Sequence, residues 1–156
     1  MNQDDNSLGH LPSDWFEGLV SPRTSDNLHL SGNSLVAANT DERFEVNNRV
    51  ARLLSPELTD ETLVNELNAM EGLPVYGVSY FNQEFLHFIS QELHELDQKS
   101  CDSNFNMIEI GGGDGQFARH FLRFDQSRIF VADIAEKFLK LAPDKVRKVC
   151  CDARYP

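Results

Sequence analysis

Cysteine is scarce in this chain: Cys101, Cys150 and Cys151 are the whole supply, with no C-x-x-C pair among them. A sparse, odd set excludes a disulfide framework or a cysteine zinc site as the organising feature. Positive charge is also short, with 14 Lys and Arg against 25 Asp and Glu, a formal net charge of −11. A surface field of that sign repels polyanions and disfavours direct nucleic-acid binding. The densest basic cluster, Lys145, Arg147 and Lys148, is too small to reverse it. No apolar run approaches the ~20 residues of a membrane span. Met1 to Asp5 offers neither the basic start nor the apolar stretch of a secretory signal. No membrane partner is expected, and a reducing cytoplasm is the expected location.

What remains is the composition of a globular protein: 40% hydrophobic residues, 25% charged, and 11 Phe to build a core. Residues 1–16 are rich in Asn, Asp, Ser and Gly without apolar periodicity and read as a flexible leader. Residues 17–56 carry short β-prone runs, Leu28-His29-Leu30, Ser34 to Ala38 and Arg43 to Val46. Turn-formers Ser31-Gly32-Asn33 and Asn39-Thr40-Asp41 separate them, which predicts a small antiparallel meander.

Residues 57–80 read as a helical linker, with Leu63, Val64, Leu67 and Met70 on one face and Gly72 and Pro74 closing it. A second helix is predicted from Phe81, Phe85, Phe88, Ile89, Leu93 and Leu96. From Asn104 strand and helix alternate: apolar strands over 105–110, 128–133 and 146–151, with helical stretches over 116–123 and 136–141 between them. The first strand, a near-continuous apolar run, is expected to be covered on both faces. This order predicts an α/β fold for residues 81–156, the first three strands of a Rossmann-like, doubly wound parallel sheet.

Glu109-Ile110-Gly111-Gly112-Gly113-Asp114-Gly115 falls where the first of these strands turns into its helix. Glycine admits positive φ and close approach of a ligand, and a helix start offers free N–H groups. Asp133 closes the second strand and Asp152 the third. Asp133 with Glu136 also spells a helix capping box, and an Asp after a strand is also an ordinary turn residue.

Taken together, these residues resemble the class I S-adenosylmethionine-dependent methyltransferases, whose first motif is an acid followed by G-x-G-x-G. Glu109, Gly111, Gly113 and Gly115 match it residue by residue. The resemblance implies that the loop holds the methionine moiety of S-adenosylmethionine, with Glu109 placing its ammonium group, usually through water. It further implies that Asp133, followed by Ile134, accepts both ribose hydroxyls, and that Asp152 and the N–H of Ala153 meet the adenine, in a segment like the family's "gDa-x-x-P". None of these is expected to be a catalytic acid or base. The residues that choose the methyl acceptor usually follow the fourth strand, so the substrate-selecting half is expected beyond Pro156, and the fragment alone is expected to be inactive. A small-molecule acceptor is favoured by the charge.

A nicotinamide or flavin dinucleotide domain is the alternative, since Gly113-Asp114-Gly115-Gln116-Phe117-Ala118 reads as G-x-G-x-x-A. That reading leaves Glu109 and Asp152 without roles and sets a carboxylate beside a pyrophosphate. A further alternative is a non-catalytic binding or regulatory module. Residues 17–56 resemble the small zinc-ribbon-like module that activates several methyltransferases. Ser21 and Thr24 stand where those relatives carry cysteines, so the module is expected to lack metal and to dock on the methyltransferase domain or its substrate. His87, His94, Cys150 and Cys151 are expected to play packing or solvated roles.

Overall fold

The computed structural model describes residues 11–54, 61–72, 106–122 and 128–154, together with residues 84, 85, 87–89, 91, 92 and 95. Seven strands form one mixed sheet: β1 (Leu28–Ser31), β2 (Ser34–Ala37), β3 (Arg43–Asn47), β4 (Val50–Arg52), β5 (Asn106–Ile110), β6 (Arg128–Asp133) and β7 (Arg147–Cys150). Their spatial order is β1-β2-β3-β4-β7-β6-β5. The first four pair antiparallel in sequence, and β4-β7, β7-β6 and β6-β5 pair parallel. The α/β class is as expected, but the expected boundary between a β-rich module and a parallel sheet is crossed by hydrogen bonds.

The meander follows from alternation and turn chemistry. In β3, Phe44 and Val46 are buried while Arg43 and Glu45 are exposed, the period of a strand with one covered face. The tight β3-β4 hairpin sets both Asn48 (φ 48°) and Arg49 (φ 63°) in the left-handed region, as a two-residue turn of this hand requires. Asn tolerates that conformation; Arg49 bears a cost of ~1–2 kcal/mol. β4 then lies along β7, Val50 opposite Lys148 and Arg52 opposite Cys150. Beyond the strand, the Leu53 N–H donates to the Cys150 carbonyl at 2.8 Å.

Two apolar layers sandwich the sheet. On one face Val50, Ile129, Val131 and Cys150 pack with Ala118, Phe121, Leu139, Ala142 and Val146 from the two β-to-β connections. On the other, Leu28, Leu35, Phe44, Val46, Ala51, Phe130 and Val149 pack under Phe16. The end of the expected leader is therefore anchored: Phe16 is 1% exposed, and Leu11, Trp15 and Leu19 lie against the same cluster, while Pro12, Ser13 and Asp14 are exposed. The Arg147 guanidinium sits 5.1 Å from the Trp15 ring centroid and 5.5 Å from that of Phe130, and its Nε donates to the Trp15 carbonyl. Arg128 pairs with Glu17.

Among the described residues the helical parts of the connections are shorter than their periodicity predicts. Residues 116–122 hold a single 3-10 turn, Ala118–Phe121, and residues 136–141 one α-helical turn, Glu136–Leu139. The helix Glu61–Gly72 forms, but of its predicted apolar face only Leu63 is buried; Val64 and Met70 are exposed. β5 also departs from expectation: Ile108 and Ile110 are 56% and 57% exposed, so the strand is not covered on both faces. Residues 84, 85, 87–89, 91, 92 and 95 are helical, with Phe85 and Phe88 exposed; Phe81, Leu93 and Leu96 lie outside the described residues. Among the described residues no helix is long and apolar enough to cross a membrane.

Candidate functional site

Register brings the predicted acids together. Glu109 on β5 pairs with Val131 on β6, and in a parallel ladder partners face the same way. Asp133, two residues beyond Val131, returns to that face, and its own partner is Cys150 on β7. Cys150 packs in the cluster of the crossover side and Cys151 against the opposite cluster, so alternation carries past the strand and returns Asp152 to the face of Cys150. The Cys151 N–H donates to the Asp133 carbonyl at 3.1 Å, extending the ladder beyond the strand. Glu109, Asp133 and Asp152 thus share one side of the sheet at its carboxyl-terminal end.

Between the first two acids lies the glycine turn. Gly111, Gly113 and Gly115 hold φ of 68°, 53° and 69°, conformations that side chains resist. Gly112 is required for a different reason: a Cβ there would stand 2.7 Å from Val131 Cγ1 and 2.9 Å from Glu109 Cδ. Glu109 is folded beneath the turn, and its Oε2 accepts from the Ala118 N–H at 2.9 Å. Burial pushes its carboxyl above the ordinary value; hydrogen bonds from Ala118 and Phe117 N–H groups oppose the rise, and the charges of Asp114 and Asp133 add to it. The role this geometry gives Glu109 is to organise the loop from below.

Asp133 clamps the same turn from the neighbouring strand. Its Oδ2 accepts from the Gly113 N–H and its Oδ1 from the Ala135 N–H, both at 2.8 Å. The predicted capping box does not form: Ala135 is the N-cap and has no side-chain cap bond, while Glu136 pairs with Lys140 at 2.8 Å and approaches Arg52 at 4.0 Å. A carboxylate offers about four lone-pair sites. Among the described residues Asp133 therefore keeps one acceptor site on each oxygen, the complement of a vicinal diol. Ile134 is half-buried, and its carbonyl accepts from the Cys150 thiol at 3.4 Å.

Asp152 is buried and bound by Arg154, whose fork meets both of its oxygens. That contact, first among the causes, holds its carboxyl below the ordinary value despite burial. Ala153, which follows it, is exposed. Burial pushes the Cys150 thiol up to about 12 and the Cys151 thiol up to about 11, so both stay protonated and act as packing groups.

Three neighbours of the site went unforeseen: Arg52, Arg154 and Gln116. Arg52 comes from β4, whose pairing with β7 left no local signal. Arg154 stands two residues beyond Asp152, close enough to have been considered as its partner. Gln116 Oε1 is a buried acceptor with no hydrogen-bond partner among the described residues, directly after the glycine turn. His87 is exposed on its helix, and His94 lies outside the described residues.

In the amino-terminal strands, the position of the first expected cysteine is a hydrogen-bonded hub. Ser21, fully buried, accepts from the N–H groups of Arg23 and Thr24 at 3.1 Å each and donates to Glu42. Thr24 donates to Asp26 at 2.9 Å, and Arg23 Nε lies 3.5 Å from Glu42. Side-chain hydrogen bonds thus close the turn over residues 21–26.

No known family model matches the chain, and no curated protein matches its sequence.

Proposed function

We propose that this chain carries the cofactor-binding part of a class I S-adenosylmethionine-dependent methyltransferase, built on the Rossmann-like strand order β7-β6-β5. The observation that carries the reading is the row of acids on one face of three adjacent parallel strands, with Asp133 keeping one open acceptor site on each oxygen. The acceptor set fits two parts of the group as it stands. Gln116 Oε1 offers an acceptor for an ammonium at the glycine turn. Asp133 suits a ribose diol, with Ile134 beside it, and Asp152, beside the exposed Ala153, suits an aminopurine once the Arg154 guanidinium yields it. When bound, S-adenosylmethionine supplies an electrophilic methyl group for attack by an acceptor held in line. The residues here orient the donor; none moves a proton.

Glu109 weighs against the dinucleotide alternative. A pyrophosphate at this turn needs the free N–H groups of the following helix start. Here the Ala118 N–H is already bound to a carboxylate, which would also repel the phosphates. The net charge of −11 favours a small-molecule acceptor over a nucleic acid. Residues 17–54 act within this reading as part of the sheet, since β4 docks on β7.

Titration calorimetry of the chain with S-adenosylhomocysteine and with NAD is the test. Saturable binding of the first and none of the second is expected. Binding of NAD alone would establish the dinucleotide reading, and binding of neither would leave a non-catalytic module.

A further inference from the structure

Glu109 and Asp133 are held by backbone N–H groups, which cannot leave without unravelling the loop. Asp152 is held differently. Its Oδ1 accepts from the Arg154 N–H at 2.9 Å and from Nε at 3.1 Å, and its Oδ2 from Nε at 2.9 Å and Nη2 at 2.6 Å. Three N–H groups make these contacts, the Nε one shared between the two oxygens, so each oxygen carries two contacts. An incoming amino group must therefore compete with the guanidinium for Asp152. The pair is asymmetric: the Asp152 side chain is 8% exposed and that of Arg154 46%. The anion is buried and the cation is half-exposed, so rotation of the guanidinium toward solvent leaves it hydrated.

We propose that Arg154 is a specificity residue for the purine subsite, its side chain closing Asp152 against a 6-amino purine and presenting donors in its place. The inference rests on the cofactor reading above and deepens it. With Arg154 seated, the third strand tip offers N–H groups, which suit the carbonyl of a 6-oxo purine. With Arg154 swung out, the same tip offers a carboxylate, which suits an exocyclic amine. The backbone N–H of Arg154 stays on Oδ1 in both states, so the open carboxylate remains oriented. Every adenine-bearing ligand must displace the guanidinium before it binds, and that exchange lowers its affinity by the worth of a half-exposed ion pair.

The experiment compares wild type, Arg154→Ala and Arg154→Gln by calorimetry with S-adenosylhomocysteine and with its 6-oxo analogue S-inosylhomocysteine. Thermal unfolding confirms that each variant is folded, and the glutamine variant keeps a side-chain stem should the alanine variant fail. Removing the guanidinium is expected to tighten S-adenosylhomocysteine by about threefold to fivefold, and to leave the 6-oxo analogue unchanged or weaker. Equal or weaker binding of S-adenosylhomocysteine by both variants overturns the gate while leaving the cofactor reading intact. Absence of binding by all three proteins overturns the cofactor reading and the gate with it.

Discussion

Replacing Phe16 by Ala tests whether the amino-terminal strands and the glycine-turn half are one folding unit. Phe16 is 1% exposed and belongs to a cluster that joins Leu28, Leu35, Phe44 and Val46 to Phe130 and Val149 of the parallel strands. Truncating a fully buried Phe costs ~3–5 kcal/mol, because the lost transfer energy adds to that of the cavity left behind. In a chain of this size each kcal/mol lowers the melting temperature by ~2–4 °C, so a loss of about 10 °C is expected. The protein supplies its own reporter. Trp15 is the only tryptophan, and it stacks on Arg147 at the seam between the two halves. Its fluorescence follows the seam while far-ultraviolet circular dichroism follows the whole sheet. One cooperative unit requires the two probes to melt together in both proteins. A fluorescence transition that precedes the dichroic one, or a cost below ~1 kcal/mol, would refute the shared core.

Three further outcomes are expected. Gly112→Ala forces a Cβ to 2.7 Å from the buried Val131, so it should cost ~1–3 kcal/mol in urea unfolding. It should also abolish binding of S-adenosylhomocysteine by displacing the turn. Burial raises the Glu109 carboxyl above its unfolded value, so the folded state holds that proton more tightly. Its contribution to stability therefore falls as pH rises from the unfolded value through the raised one. Glu109→Gln keeps an acceptor for the Ala118 N–H and should flatten that fall, read from urea midpoints across the acid range. Lys148 is 2% exposed, and burial lowers its amine below 10.5 despite Asp144 at 3.5 Å. The folded state then binds the proton less tightly than the unfolded, so stability rises with pH between the lowered value and the unfolded one. Lys148→Met should remove that rise and be neutral or stabilising near pH 7, since it leaves only the solvated Asp144 behind; a large loss of stability there would contradict the burial argument.

The local signals in the sequence were read faithfully by the fold. Alternation placed β1 to β3 within a residue, and the glycine turn follows β5 and Asp133 closes β6, while β7 ends two residues before Asp152. Lengths of the connections were not legible. Phe117, Phe121 and Leu122 have helical spacing, yet among the described residues the segment forms only the 3-10 turn Ala118–Phe121. The roles of the acids were half legible. Their side of the sheet follows from period and register, but their partners are N–H groups and an arginine whose positions depend on the folded loop. Asp133 and Glu136 illustrate this: their spacing fits a capping box, and the turn conformation gave Asp133 to Gly113 instead.

The least legible feature, the parallel seam between β4 and β7, has the largest consequence for the site. Parallel pairing joins residues far apart in the chain and has no turn to announce it. Without β4, β7 would present an unpaired row of backbone groups; with it, the outer edge moves to β1, a strand of 4 residues. The seam also extends past the strands themselves. The Cys150 carbonyl is held by Leu53 on one side and the Cys151 N–H by Asp133 on the other, so the backbone leading into Asp152 is fixed between two neighbours. One of these belongs to the crossover strands and the other to the amino-terminal meander. The position of the third acid is therefore a joint product of both halves, and residues far from Asp152 in the chain set its geometry.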